Sequence, residues 1–254
     1  MIAMSSLTRI VRHLDDKLRI GECGDWPQAL NGLQVENSGR VRKIGAAVDA
    51  STRTFTAAAA AGVDLLIVHH GLFWAGLQTV TGSLRRQIAL LLQHDIALYS
   101  AHLPLDIHPV LGNNAQLLAA LGLDGAEPFL ETKGQPVGLK VRATIARDEL
   151  AARFEHSLGG PVQMFPHGPA ETQTIGVITG GAGSEIVAVA QAGVDTFLTG
   201  EAPHWAAVAA EEWGINLLLG GHYATETFGV KALAAHVAEQ FEMPWEFLAA
   251  PTGL

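Results

Sequence analysis

The feature that most constrains the fold of this chain is a stretch that occurs twice. Displacing the sequence by 131 residues aligns Ile44–Trp74 with Ile175–Trp205 without a gap. Both copies predict a strand, a turn of small residues, an alanine-rich helix, and an Ala-Gly-Val-Asp segment that opens a second strand. The predicted strands are short apolar runs, which are typical of buried parallel strands. The repeat therefore predicts a duplicated α/β fold. The alternative is that unrelated βαβ units carry the same turn residues by convergence.

We expect the chain to be organised as two duplicated three-layer α/β units. Residues 1–124 would form the first half with an N-terminal helix, and residues 174–254 the second. Residues 125–173 would form a small α+β elaboration, the three segments together making one compact metal-binding protein. Apolar periodicity further predicts a helix over Leu7–Leu18, a strand over Val137–Ile145, a helix capped by Asp148 and ending at Leu158, and a strand over Val162–Phe165.

Potential metal ligands follow three of the apolar runs. One run ends in two adjacent histidines, and two others lead into a histidine followed four residues later by a carboxylate. Open α/β sheets form their sites beyond the carboxyl ends of parallel strands, so we expect these side chains to meet at a strand-end site between the two halves. The predicted metal ligands are His69, His70, Asp106, His222 and Glu226.

The two His-x-x-x-carboxylate segments also resemble each other. An offset of 120 residues aligns His102 with His222 and Asp106 with Glu226. Positions i and i+4 of a helix share one face, so His222 and Glu226 could bind one cation together. Pro104 disfavours a regular helix in the first copy, where we expect a loop.

The number of ligands indicates a dinuclear site. Two ions with about three protein ligands each can share five residues only if one carboxylate bridges them, and Glu226 is favoured over Asp106 for that role. Imidazole with carboxylate suits Zn, Fe or Mn. Two divalent ions against two carboxylates leave positive charge, which would bind an anionic substrate and lower the pKa of water.

Two further residues are candidate catalytic groups. Glu201 aligns with His70 in the repeat, and His102 follows a strand, so either could carry protons at the site. The alternative for each is a hydrogen-bonding role that orients a ligand. His204 is a weaker candidate for proton transfer.

Three other motifs have structural interpretations. Asp49-Ala50-Ser51 lies between a strand and a helix, which favours helix capping. The turn Thr179–Ser184 is glycine-rich and could bind phosphate, but it lacks a P-loop lysine and a full dinucleotide motif, so a structural turn is favoured. His108 and Gly112-Asn113-Asn114 are expected to shape the loop that carries Asp106.

Composition restricts the partners. The formal net charge of -9 disfavours nucleic-acid binding, whereas a small anionic substrate at a metal is still allowed. The single cysteine, Cys23, excludes an internal disulfide and a cysteine-based zinc site. Residues 1–16 lack the apolar core of a signal peptide, and no apolar run is long enough to span a membrane. We therefore expect a cytoplasmic protein with no membrane partner.

A set of motifs in a fixed order resembles one known family, the Nif-three-like proteins, also called type 2 GTP cyclohydrolase I homologues. The resemblance runs nearly end to end and implies a duplicated α/β fold, a dinuclear metal site at the five ligands named above, and a ring-shaped homohexamer. Pro203 departs from the family pattern. The motifs are Asn31–Val35, Val68–Gly71, His102–Asp106, Gly112–Asn114, Thr199–Glu201 and Gly221–Glu226.

Three classes of function are open from the sequence. The first is a dinuclear metal-dependent hydrolase, of the GTP cyclohydrolase type or acting on a phosphoester or amide. The second is a metal-binding or metal-delivery protein without turnover, and the third is an assembly or regulatory partner. Substrate transfer from a family is an analogy, so the choice needs a measurement.

Overall fold

The computed structural model describes residues 5–254, which divide into two compact units. The first unit runs to Leu105 and resumes over Gly229–Ala250, and the second comprises Asp106–Phe228 and Pro251–Leu254. The four residues before Ser5 lie outside the described range. They belong to the predicted first half and to the stretch over residues 1–16 that is expected to lack a signal-peptide core. Within residues 5–254 no helix has the length and apolarity needed to cross a membrane.

Strands and helices alternate along most of the chain. The elements, in chain order, are β1 (Ser5–Ser6), α1 (Leu7–Leu18), β2 (Gly32–Val35), β3 (Arg40–Val41), β4 (Ile44–Asp49), α2 (Thr52–Ala61), β5 (Leu65–His70), α3 (Gly82–Gln93), β6 (Ala97–Ser100), α4 (Leu103–Asp106), α5 (Asn113–Ala120), β7 (Glu127–Thr132), β8 (Gln135–Arg142), α6 (Arg147–Leu158), β9 (Gln163–Pro166), β10 (Thr174–Val177), α7 (Ile186–Gln191), β11 (Thr196–Thr199), α8 (His204–Trp213), β12 (Asn216–Leu219), α9 (His222–Thr225), α10 (Thr227–Phe241) and β13 (Trp245–Phe247).

The first unit is built on a five-stranded sheet in the order β13-β4-β5-β6-β2. Strands β13, β4, β5 and β6 are parallel, and β2 pairs antiparallel with β6 at the edge. Leu66 and Val68 of β5 pack with Phe55 of α2 and Leu91 of α3 in one apolar cluster. The carboxyl ends of three adjacent parallel strands are thereby fixed side by side.

The second unit contains a six-stranded sheet in the order β7-β8-β10-β11-β12-β9. Its three central strands are parallel, and the outer strands pair antiparallel. Alternate residues of the central strands enter two separate apolar clusters: Leu198 and Leu218 pack with α5 and α6, whereas Phe197 and Leu217 pack with α7 and α8. Helices therefore cover both faces of this sheet, as in a three-layer α/β architecture.

The repeat predicted from the sequence is present in the strand register. Ile44 lies opposite Leu65 in the β4–β5 ladder, and the residues displaced by 131 positions, Ile175 and Thr196, lie opposite each other in β10–β11. The mixed α/β fold predicted for the chain is confirmed.

The aspartates that open the second strand of each copy make equivalent contacts. The Asp64 carboxylate accepts hydrogen bonds from the backbone amides of Arg42 and Lys43 at 2.7 and 3.2 Å. The Asp195 carboxylate accepts from the amides of Gln173 and Thr174 at 2.9 and 2.7 Å. Each aspartate therefore ties the start of its strand to the residues at or just before the start of the neighbouring strand.

The compact units divide the chain at other positions than the three segments predicted from the sequence. Strands β7, β8 and β9 of the middle segment pair within the second unit's sheet, and the residues from Gly229 onward return to the first unit. Both the pairing of the middle strands and the return of the chain to the first unit depend on long-range strand pairing, which local composition does not reveal.

Local predictions are mostly confirmed, with two corrections. Helix α1 has the predicted bounds, and Gly159 ends α6 in the left-handed conformation. Asp148 does not cap α6; Ala146 holds that position and Asp148 lies in the first turn, where its charge favours the helix dipole. Pro104 does not prevent a helix, because it lies in the first turn of α4, where proline is tolerated.

Candidate metal centre

Two histidines at the end of β5 form the first part of the candidate site. His69 is fully buried, and its Nδ1 donates a hydrogen bond to the carbonyl oxygen of Ala101 at 2.9 Å. Nδ1 of His70 lies 2.8 Å from Oδ1 of Asp49, at the end of the neighbouring strand. A carbonyl oxygen or a carboxylate can only accept here, so in the neutral imidazole the lone pair lies on Nε2.

A third imidazole of the first unit joins them from the end of β6. One ligand atom from each of His69, His70 and His102 can be chosen so that all three lie within 4.8 Å of one another. Nδ1 of His102 lies 3.0 Å from Oδ1 of Asp25. The residues predicted from two different strand ends are therefore brought together within this unit.

Asp25 is a buried carboxylate with several hydrogen-bond donors. Burial acts to raise the pKa of Asp25, but hydrogen bonds from His102, Asn31 and the Trp26 amide outweigh it, so the pKa is lower than usual. The carboxylate is therefore ionised at neutral pH.

The second unit contributes a group around His222, at the start of α9. Its Nε2 lies 3.2 Å from Oε2 of Glu226, and its Nδ1 lies 2.9 Å from Oε1 of Glu201. The side chain of Glu226 is 5% exposed, whereas that of Glu201 is 46% exposed. The predicted i,i+4 contact between His222 and Glu226 is present.

The charge balance of this second group favours a cation. The hydrogen bond that His222 donates to Glu226 raises the pKa of His222 to about 9, against the lowering effect of burial, and Glu201 adds to the rise. The imidazole proton therefore supplies positive charge between two carboxylates. A divalent cation that bound His222 would displace this proton and supply the charge in its place.

A glycine-rich turn lines the second group. Gly180 has a φ of 72°, and a Cβ placed on it would collide with Oε1 of Glu226. Gly181 lies beside both Glu201 and His222. The turn is thus the wall of the His222 group, and the following helix α7 begins only after a 3₁₀ turn over Ala182–Glu185. This close packing agrees with the structural interpretation of the motif.

Asp106 lies at the end of α4, and its loop has the predicted supports. Oδ1 of Asp106 accepts a hydrogen bond from Nδ2 of Asn113 at 2.8 Å. Nδ1 of His108 accepts from the amide of Leu111, and Nδ2 of Asn114 donates to the carbonyl oxygen of Val137. These contacts fix the carboxylate from the loop that follows it.

Two residues of the site were missed or misassigned from the sequence. Asp25 received no role, and Asp49 was considered only as part of the segment Asp49-Ala50-Ser51 assigned to helix capping, yet each contacts a histidine of the first unit. The predicted capping is confirmed for Ser51 of that segment, which caps α2 through a reciprocal pair with Thr54. The strand-end argument could have found Asp49, which lies opposite His70 in the β4–β5 ladder.

The donor atoms suit a divalent transition metal. Imidazole nitrogens whose other ring nitrogen donates to a carboxylate or carbonyl are the usual arrangement of metal-binding histidines. His69, His70 and His102 have this arrangement in the first unit, and the second unit offers imidazole with carboxylate. Such sets fit zinc, iron or manganese.

Comparison with known proteins assigns the chain to a family. The model of the Duf34/NIF3 family (NGG1p interacting factor 3) matches residues 5–252. The chain belongs to this family. Relatives within it agree with the fold, and the predicted resemblance is confirmed.

Three relatives show how closely the chain follows other Duf34/NIF3 proteins. A protein of Deinococcus radiodurans named GTP cyclohydrolase 1 type 2 homolog is 41% identical, over 96% of this chain and 93% of its own. The crystal structure of TTHA1606 from Thermus thermophilus is 41% identical, with a TM-score of 0.88 over 98% of this chain and 100% of its own. Protein ybgI, described as of unknown function, is 36% identical with a TM-score of 0.90 over the same shares.

Proposed function

We propose that the chain is a dinuclear metal-dependent hydrolase. Its ligands would be His69, His70, Asp106, His222 and Glu226, and its ions two divalent cations such as Zn, Fe or Mn. The observation that carries the proposal is the hydrogen bonding of His69, His70 and His222. Each has its Nδ1 against an oxygen acceptor, which makes Nε2 the atom that would bind a metal ion. Divalent ions in such a site would supply Lewis acidity and make water nucleophilic near neutral pH.

The protein's own residues would perform the remaining tasks. The buried Glu226 carboxylate is suited to bridging because it has two oxygens and lies against His222. Proton transfer would fall to Glu201 or His102. The exposure of Glu201 gives it access to solvent while it stays in contact with His222, which is what a residue that exchanges protons with water requires.

For the substrate class we propose a small anion, with nucleotide ring opening of the GTP cyclohydrolase type as the first candidate. Relatives carry that name with the word homolog. The reaction requires attack by water on the purine C8 and hydrolysis of the imidazole ring, which suits a site that binds phosphate charge and activates water. A cytoplasmic location, no nucleic-acid or membrane partner, and a homohexameric ring stay predictions.

The test is GTP turnover by metal-reconstituted protein, followed chromatographically. Wild type and Glu212→Ala, a change at an exposed residue of α8, should form product, and Glu226→Ala should not. Metal bound without product from GTP, phosphoesters or amides would reject the hydrolase and favour metal delivery without turnover. Equal turnover and equal metal content in Glu226→Ala would reject the ligand set.

A further inference from the structure

Asp25 receives more hydrogen bonds than its contact with one histidine requires. Its carboxylate accepts from the amides of Trp26 at 2.7 Å and Leu103 at 3.0 Å, and from Nδ2 of Asn31 at 2.7 Å. Nδ1 of His102 lies 3.0 and 3.1 Å from the two carboxylate oxygens. The side chain is only 6% exposed. A buried carboxylate with this many donors is an acceptor only, so Nδ1 of His102 must donate.

The backbone of His102 is fixed by the same loop. Oδ1 of Asn31 accepts the His102 amide at 2.7 Å, while Nδ2 of Asn31 donates to Asp25. Asp25 and Asn31 therefore hold both the main chain and the ring of His102. The rings of Trp26 and Trp74 lie 5.8 and 4.8 Å from the His102 ring, the second nearly perpendicular to it. Rotation of the imidazole would break contacts on several sides at once.

The neighbouring pair of Asp49 and His70 provides a contrast. Asp49 is 32% exposed and contacts Nδ1 of His70 through one carboxylate oxygen at 2.8 Å. Asp25 is buried and uses both oxygens, one of which also binds the chain beside His102. Of the two carboxylates, Asp25 is the one organised to set a single ring orientation.

We propose that Asp25 is a positioning residue that holds His102 as the Nδ1–H tautomer, so that Nε2 of His102 acts as the third imidazole ligand beside His69 and His70. This inference rests on the proposed metal-dependent function and extends it. Its consequence for that function is that His102 is committed to the metal, which leaves Glu201 as the residue that transfers protons.

The test combines nitrogen-15 NMR of the histidine rings with titration by Co²⁺. In wild-type protein without metal, His102 should carry its proton on Nδ1. Asp25→Asn offers an amide donor where the carboxylate accepted, so the proton of His102 should move to Nε2. Co²⁺ affinity should then fall about 10–100-fold, the usual effect of removing the partner of a metal-binding histidine. His102→Gln should cause a similar loss and change the visible spectrum of bound cobalt.

Asp15→Asn is the matched control, since it makes the same chemical change in the first unit at a carboxylate that contacts Tyr99. It should leave cobalt affinity and the His102 tautomer unchanged. Either of two results would overturn the inference and leave the proposed hydrolase standing: a wild-type His102 protonated on Nε2, or unchanged cobalt affinity in Asp25→Asn. The first result is obtained on wild-type protein and so does not depend on whether a variant folds. Cobalt binding as predicted, without turnover, would reject the hydrolase and retain the inference. Absence of cobalt binding by wild type would overturn both.

Discussion

At the scale of residues, the site depends on what stands behind each imidazole. Asp49, Asp25 and Glu201 supply carboxylates to the Nδ1 atoms of His70, His102 and His222, and His69 uses a backbone carbonyl. An imidazole fixed in this way loses little conformational entropy when it binds a cation, because its tautomer and its orientation are already set.

Gly180 leads to the first prediction. Gly180→Ala would place a Cβ against Glu226 at a residue with positive φ, so metal affinity should fall about tenfold or more. Gly193→Ala is the control: its φ is 80°, but no atom lies within 4 Å of the added Cβ. It should cost about 1 kcal/mol in the free energy of unfolding and leave metal affinity unchanged. Isothermal titration with Zn²⁺ measures the affinities. Equal affinity in Gly180→Ala and wild type would refute the contact.

The second residue-scale prediction concerns pH. His13 on α1 and His236 on α10 have their Nε2 atoms 3.0 Å apart. Burial, and then the charge of Lys17, lower the pKa of both below the ordinary value of 6.5. The unfolded chain therefore binds more protons below pH 6.5, and the stabilising contribution present above that pH is lost as the pH falls through the folded-state values.

We expect the free energy of unfolding to fall between pH 7.5 and pH 5.5 more steeply in wild type than in the double variant His13→Gln, His236→Gln. Lys17→Gln should reduce the steepness in part, since it removes the second cause of the shift. Urea unfolding at a series of pH values measures this. A double variant with the slope of wild type would show that the pair is not the source.

At the scale of elements, the two copies of the repeat share their register and their supports. The strand pairs β4–β5 and β10–β11 align residues displaced by the same offset. Gly45 and Gly176 both lie against a valine just before the next strand, where a Cβ would stand 3.0–3.1 Å from the methyls of Val63 or Val194. In both copies, the contact between a glycine and a valine thus packs the helix-to-strand connection against the first strand.

The repeat predicts equal effects of equivalent substitutions. Asp64→Ala and Asp195→Ala each leave two backbone amides without their carboxylate acceptor, so each should lower the free energy of unfolding by about 1–2 kcal/mol. Asp64→Asn and Asp195→Asn retain one acceptor oxygen and should lose less. Guanidinium unfolding with fluorescence detection makes the comparison. A large loss at one aspartate and none at the other would contradict the equivalence.

At the scale of the whole molecule, the sequence predicts what depends on period and offset. The repeat, the parallel strands and the histidines at strand ends all follow from local patterns. Partners at long range do not: Asp25 and His102 are 77 positions apart, and nothing in the residues around Asp25 indicates the contact. The return of residues 229–250 to the first unit is likewise decided by pairing of β13 with β4. The histidines at strand ends could thus be predicted, but not the residues that orient them.

The central claim is that a set of residues that includes His69, His70, Asp106, His222 and Glu226 binds two divalent ions, and the number of ions bound per chain tests it most directly. Protein stripped with chelator, reconstituted with Zn²⁺ or Mn²⁺ and freed of excess metal should contain two ions per chain by elemental mass spectrometry. Glu226→Ala should contain fewer than two, because it removes the carboxylate proposed to bridge, whereas Glu212→Ala should match wild type. Wild-type protein that holds fewer than two ions, or a Glu226→Ala variant that still holds two, would contradict the account.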